Sequence, residues 1–413
     1  MSDILIIGAG LAGLSCALDL QQSGLSCKIF EASDAIGGRV RTDQHNGFLL
    51  DRGFQVLLEA YPECRRVLDY KKLNLKRFDP GAVVWYGGKL RSLYDPRRRP
   101  SRIPDDLFSR LATFADKLRM GRYVLDLKRR NLNDLLSAQE STTAAAITAR
   151  GFSPAITERF LRPFLGGIFL ERELATSSRK FDFVMRMFAE GGASVPAQGM
   201  GAIPAQIASR LRPDSIRLNA PVKSVTAKSI TLESGEEISG EAVVIATDHV
   251  RARSLNSKVE AVPLNNVTCL YFIAHETPLK GSNLVLNGEG EADGPVNNLA
   301  VMTEVAPSYG QKGTSLISVS IIGSADGSRL ESPVRVQLTR WFGQQVSRWF
   351  LLRAYHIEHA LPLQTPQTGG LLPRPSRVGD GTYICGDHCD LASINGAIVS
   401  GRRAAEAIIE DLN

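Results

Sequence analysis

Gly8, Gly10 and Gly13, with Leu11 and Ala12 filling the last gap, stand at the spacing G-x-G-x-x-G, a pattern suited to holding main chain against a diphosphate. The first glycine permits a tight turn, the second lets pyrophosphate approach the backbone, and the third lets a helix pack closely on the preceding strand. A helix opening at that point offers free N–H groups and the positive end of its dipole to the phosphates. Glu31, about twenty residues further on, places a carboxylate where ribose hydroxyls can be held. Gly37-Gly38-Arg39 follows closely: the glycine pair bends the chain back over the dinucleotide, and Arg39 meets phosphate with a forked, permanent charge. This second element fits FAD better than NAD.

The elements that must position these residues are readable around them. "DILIIG" is a continuous apolar β run, "LAGLSCALDLQQSG" has helical apolar spacing with a stop at Gly24, and "LSCKIFE" supplies a second strand. Residues 215–248 alternate as short strands with a turn at Ser234-Gly235 and end in the apolar run "AVVIAT". Near the other end, "TYICGD" is a strand closing on Gly386-Asp387, and a small-residue helix begins near Ile394 and Asn395 in "LASINGAIVSG".

"GAGLAGL" with "EASDAIGGRVRT" resembles the N-terminal signature of the flavin-containing amine oxidase superfamily. In motif the chain is nearest to the FAD-dependent oxidoreductases of the phytoene desaturase and protoporphyrinogen oxidase type. The resemblance implies that "DRGFQVL" brings Gln55 toward the isoalloxazine and that the backbone at Val222 contacts the adenine. Asp387 would bind the ribitol or pyrophosphate side, and the helix starting at Ile394 and Asn395 would aim N–H groups at the flavin N1 and O2 edge. Reduced flavin carries negative charge there, which a helix N-terminus stabilises. Small residues in that segment are expected because the ring lies against the backbone. Amine oxidases of the superfamily carry a Trp-x-Gly-Tyr element just before this helix, whose Tyr forms one wall of an aromatic cage. Here Leu391, Ala392 and Ser393 stand instead, against a typical amine substrate and closer to plant and cyanobacterial phytoene desaturases. "VPAQGMGAIPAQIA" is similar to a segment of the same group.

The expected fold is α/β: a Rossmann-type FAD-binding domain, glutathione-reductase-like, with an inserted α+β substrate domain. Residues 1–60, 195–255 and 361–413 are assigned to the first, and 61–194 and 256–360 to the second. A chain of 413 residues with 43% apolar content excludes general disorder. Six cysteines without CxxC pairing and no secretory leader point to a reducing, cytoplasmic setting. In the substrate region "VTCLYFIAHE", "LAVMTEV" and "TSLISVSIIG" read as strands and "SPVRVQLTRWFGQQVSRWF" as an amphipathic helix. No acid–base constellation stands out, so the catalytic residues stay unassigned. His356 and His359 have metal-like spacing without a third ligand, which predicts no metal site. Lys280, in "TPLKGSN", reads as an exposed loop rather than a flavin-facing lysine.

The net charge of +6 is concentrated between Arg97 and Arg130, where eleven Lys/Arg meet four Asp. There a helix is expected with Leu107, Phe108, Leu111, Phe114 and Leu118 on one face. It packs either as an ordinary core-facing helix with a basic back or as a peripheral contact with anionic lipid. Nucleic acid is not an expected partner, since no binding module accompanies the basic stretch. The activity expected is dehydrogenation of a small apolar substrate, isoprenoid or carotenoid-like, by hydride transfer to flavin N5, with quinone or oxygen as the acceptor the resemblance implies. The alternatives are an amine or protoporphyrinogen-type oxidase and a non-redox flavin-dependent polyene isomerase.

Overall fold

The computed structural model describes residues 3–95, 98, 110–323, 327–367, 372–379 and 381–412. Four strands, β1 (Ile4–Ile7), β2 (Cys27–Phe30), β3 (Val243–Ile245) and β4 (Thr382–Ile384), form the centre of a six-stranded sheet. Its order is Ile216–Arg217, β2, β1, β3, β4, Arg377–Gly379, with every pairing parallel except the last. Strands of a parallel sheet covered on both faces read as unbroken apolar runs, and "ILII" of β1 is buried along its whole length.

The helices that border the site are α1 (Leu11–Gln22), α2 (Phe114–Arg129), α3 (Arg162–Phe169), α4 (Ser178–Glu190) and α5 (Ile394–Leu412). The first and last of these pack together. A Cβ on Gly401 would stand 2.2 Å from the Ala12 carbonyl, and the Ser15 hydroxyl donates to the Ile398 carbonyl at 3.1 Å.

A seven-stranded sheet faces this unit. It runs Phe350–Pro362, Leu264–Ala274, Ser315–Ile322, Asn298–Val301, Leu284–Asn287, Gly81–Trp85, Leu90–Tyr94. Leu270, Phe272 and Val319 pack against Val334, Leu338 and Trp341 of the helix Gly327–Phe342, while Cys269, Tyr271 and Leu316 join the core shared with the six-stranded unit.

Four readings change. The Phe350–Pro362 strand, which the sequence reading passes over, holds "HIEH", so His356 and His359 point to opposite faces. The first meets Thr268 Oγ1 at 3.0 Å and the second lies 3.9 Å from Asp248; no cluster of three metal-ligating side chains occurs among the described residues. "LAVMTEV" is a strand only to Val301, after which Met302–Val305 makes one helical turn. The helix expected from Leu107 starts at Phe114, where Thr113 and Asp116 close a capping box. Leu107 and Phe108 lie outside the described residues, Leu111 is buried ahead of the helix, and Phe114 and Leu118 are exposed rather than core-facing.

Candidate active site

The two units enclose a cavity of about 1580 Å³. Ordinary ligand pockets hold roughly 300–1,000 Å³, so this one has room for a dinucleotide and a second molecule. One half is built from the glycine loop. Gly8, at φ +104°, turns the chain between β1 and α1, where any side chain would meet the Ala246 carbonyl at 2.8 Å. A Cβ on Gly13 would sit 2.1 Å from the Gly8 carbonyl, which is how closely α1 returns onto β1. At Gly10 a Cβ would meet nothing within 4 Å, because that backbone faces the cavity.

Gly10, Leu11 and Ala12 line the cavity at a helix start with no side-chain cap and no acidic residue in its first turn, which leaves N–H groups for an anion. Glu31 is fixed at the rim by accepting the Ala9 N–H at 2.8 Å and the Ser33 N–H at 2.9 Å. Gly37 donates to the Ala9 carbonyl at 2.8 Å, so Gly38 and Arg39 fold back over the loop.

The far segment closes the same half. Arg39 binds Asp387 at 2.6 Å and the Ala360 carbonyl at 3.0 Å. Burial alone would raise the Asp387 pKa; Arg39, with help from His388 and Lys180, holds its carboxyl below the usual range. Gly386, Asp387, Ala392, Ser393 and Ile394 line the cavity. Ser393 Oγ takes the Gly396 N–H at 3.0 Å and so caps α5, a local reason for serine at this position.

Small residues in this segment are expected to face the ring, and of them Ala392, Ser393 and Ala397 line the cavity. Gly396 and Gly401 do not line it: their missing side chains are required by the Leu391 and Ala12 carbonyls. Asn395 turns its Oδ1 onto the Glu63 N–H at 2.9 Å and ties α5 to the next layer. Gln55 lines the cavity but donates its amide to the Arg39 and Arg52 carbonyls, at 2.8 and 3.2 Å. Val222 lines it too, its carbonyl held by Arg251. Lys280 is exposed and absent from the cavity wall.

The other half has a mostly apolar wall, which Arg98, Lys117 and Glu190 also line. Phe160 and Phe164 stack with centroids 5.4 Å apart, and Phe188 lies 5.2 Å from Phe164. Phe160 and Phe164 are set by a π-helical turn, Thr157–Leu161, just ahead of Pro163, whose missing N–H interrupts the regular ladder. Val184, Met185 and Phe188 continue the wall along α4, and Met120, Gly121 and Val124 of α2 complete it.

Lys180 stands at the cofactor end of that wall, 3% exposed, its Nζ 5.5 Å from the Phe169 ring centroid. Burial pushes its amine down to about 8, against the pull of Asp387 and Glu171. Gln364 locks the start of α4 beside α5, its carbonyl accepting the Ser177 N–H at 2.8 Å and its Oε1 the Ala392 N–H at 2.9 Å. Sequence reasoning missed Lys180 and the phenylalanine wall, which only tertiary packing brings to the cavity, and Gln364, which braces α4 and α5 behind it.

A two-unit α/β fold with a glycine loop, a ribose-side carboxylate and a second segment closing over the cleft defines an FAD-binding oxidoreductase. A model of the flavin-containing amine oxidoreductase family matches residues 11–409, and the chain belongs to that family. The zeta-carotene-forming phytoene desaturase of Myxococcus xanthus is 28% identical over 276 residues, 59% of this chain and 53% of that protein. Protoporphyrinogen oxidase 1, chloroplastic, of Arabidopsis thaliana is 28% identical over 176 residues, 41% of this chain and 30% of that one. The matches thus span about half or less of these curated relatives. A crystal structure of an oxidoreductase from Methanosarcina mazei superposes with a TM-score of 0.75 at 15% identity, covering 99% of this chain and 100% of that one.

FAD is the cofactor, and the uncapped α1 start, the open Gly10 backbone, Glu31 and the Arg39–Asp387 pair are the residues that fit it. Bound there, it supplies two-electron chemistry that no side chain provides.

Proposed function

We propose that this FAD-dependent oxidoreductase dehydrogenates an apolar polyene of isoprenoid type. The cavity carries the reading: it is continuous from the glycine loop, past Lys180, through the Phe160–Phe164–Phe188 wall to α2. A long hydrocarbon needs apolar walls and exclusion of water; a small amine needs a short pocket with aromatic faces and a polar anchor. Ser393 caps a helix at the place where the related amine oxidases put a cage tyrosine, which also supports the reading. Partial similarity to a carotene-forming desaturase agrees with it.

The protein's own share of the work is to hold the chain of carbons between α3 and α4, keep water away, and offer the α5 start and Lys180 as positive charge at the cofactor end. The test is anaerobic mixing of the holoprotein with a carotenoid-type polyene in detergent micelles. Loss of the visible flavin absorbance is expected, and primary amines should cause none. Bleaching by amines with peroxide release in air would overturn the reading in favour of an amine oxidase. Conversion of polyene without any bleaching would overturn it in favour of an isomerase.

A further inference from the structure

α2 departs from an ordinary surface helix. Its inner face, with Tyr123, Val124 and Leu127, is buried, and the opposite face of such a helix is normally polar. Here Phe114, Leu118 and Leu125 stand out at 69%, 50% and 51% exposure, three of the eight large apolar side chains exposed among the described residues. At 3.6 residues per turn they fall within about 40° of one another, a single stripe along one line of the helix.

Basic side chains flank that stripe. By helical position, Lys117 and Lys128 lie on one side, and Arg122 and Arg129 on the other. Of the helix's own acids, Asp116 is buried in the capping box and Asp126 sits on the flank near Arg130. The same helix is a wall of the cavity through Lys117, Met120, Gly121 and Val124, and Gly121 is both exposed and cavity-lining. An apolar stripe edged by cations matches an anionic bilayer surface, in which apolar side chains reach roughly 5–10 Å into the headgroup–acyl boundary while cations meet phosphates. Nucleic acid fits poorly, since apolar groups occupy the middle of the stripe where backbone phosphates would lie. No helix among the described residues is long and apolar enough to cross a membrane, so a surface contact is the form such binding takes.

We propose that α2 docks the protein on an anionic lipid surface through Phe114, Leu118 and Leu125, with Gly121 of the cavity wall at the edge of the docked stripe. The inference rests on the apolar-substrate reading for its purpose, and its test does not use substrate. Holoprotein is sedimented with vesicles of phosphatidylcholine alone and of phosphatidylcholine mixed with phosphatidylglycerol. Binding to the mixed vesicles should exceed binding to the neutral ones by about tenfold or more, and added salt should reduce it.

The combined variant Phe114→Ser, Leu118→Ser, Leu125→Ser should stay in the supernatant while keeping its flavin absorbance. The combined variant Arg122→Gln, Lys128→Gln, Arg129→Gln should lose the preference for phosphatidylglycerol. Should the triple serine variant not fold, a Leu118→Trp protein gives a second readout: vesicles containing brominated lipid should quench its added indole emission, measured as the difference from wild type. Wild type that binds neither vesicle, a serine variant that sediments like wild type, or a Leu118→Trp difference emission untouched by brominated lipid would each overturn the proposal. Polyene bleaching in detergent micelles needs no vesicles. Lost docking with intact bleaching therefore refutes only the membrane contact, and docking without bleaching refutes only the substrate class.

Discussion

Lys180 is a buried cation whose nearest electrostatic partners, Asp387 and Glu171, stand off, the first already bound by Arg39. Its amine is displaced from 10.5 to about 8, so the folded apoprotein carries a penalty of about 3 kcal/mol for holding it charged. The penalty is complete below pH 8. Between pH 8 and 10.5 the unfolded chain keeps the proton that the folded chain has lost, and the penalty is progressively relieved. Lys180→Met apoprotein should therefore resist urea better than wild type at pH 7, by up to about 3 kcal/mol, with the advantage vanishing toward pH 10.5. Equal stabilities across that range would show that the amine is solvated or paired. Gly10→Val makes a complementary change by filling the open side of the phosphate cradle; the purified variant should be colourless and stay so on adding FAD.

Asp51 shows how one element is fastened to others. It ends the strand Phe48–Asp51, fully buried, and accepts the Thr42 hydroxyl at 2.5 Å, the Met200 N–H at 2.9 Å and the Tyr309 hydroxyl at 2.8 Å. Asp51→Ala leaves the buried Met200 N–H and Tyr309 hydroxyl unpaired, at about 1–3 kcal/mol each, and frees the half-buried Thr42 hydroxyl, so the urea midpoint should fall by the equivalent of about 2 kcal/mol or more. An unchanged midpoint would mean water replaces the carboxylate.

The elements differ in how far they could be read from residues alone. β1, α1 and β2 were legible because an unbroken apolar run, three spaced glycines and a helical period meet within thirty residues. So were Asp387 and the α5 start, through the Gly-Asp pair and the small residues behind it. The Phe350–Pro362 strand was not, because it is a sheet edge whose exposed Arg353, His356 and Glu358 break the apolar alternation. Nor was the π-helical turn, whose Phe160 looks like part of any core helix until Pro163 is seen to interrupt the ladder. Between a core-facing and an outward-facing stripe on α2 the residues alone left the choice open, because burial is decided by neighbours that a single segment does not name.

Over the whole molecule, residues 8–39 meet residues 386–397 along the part of the cavity that fits FAD, so a ligand held there and the fold would support each other. Stripping the flavin should lower the thermal midpoint, and restoring it to about a hundred times its dissociation constant should return about 2.7 kcal/mol. A midpoint indifferent to FAD would place the cofactor outside this junction. Gly401→Val tests the junction from behind: a Cβ 2.2 Å from the Ala12 carbonyl must push α5 off α1, and reconstituted flavin content should drop although no cavity-lining side chain is altered.

The order of strands in the six-stranded sheet also bears on how the chain is made. β1 lies beside β3, and β3 beside β4, so neighbours in space are separated by well over a hundred residues of translation. While a ribosome is still working toward Asp387, the glycine loop has already emerged without the segment that completes it. Such distant pairings form slowly. A newly made chain therefore passes through an interval with apolar strand edges uncovered, when a chaperone or a reserve of free flavin would decide between maturation and aggregation.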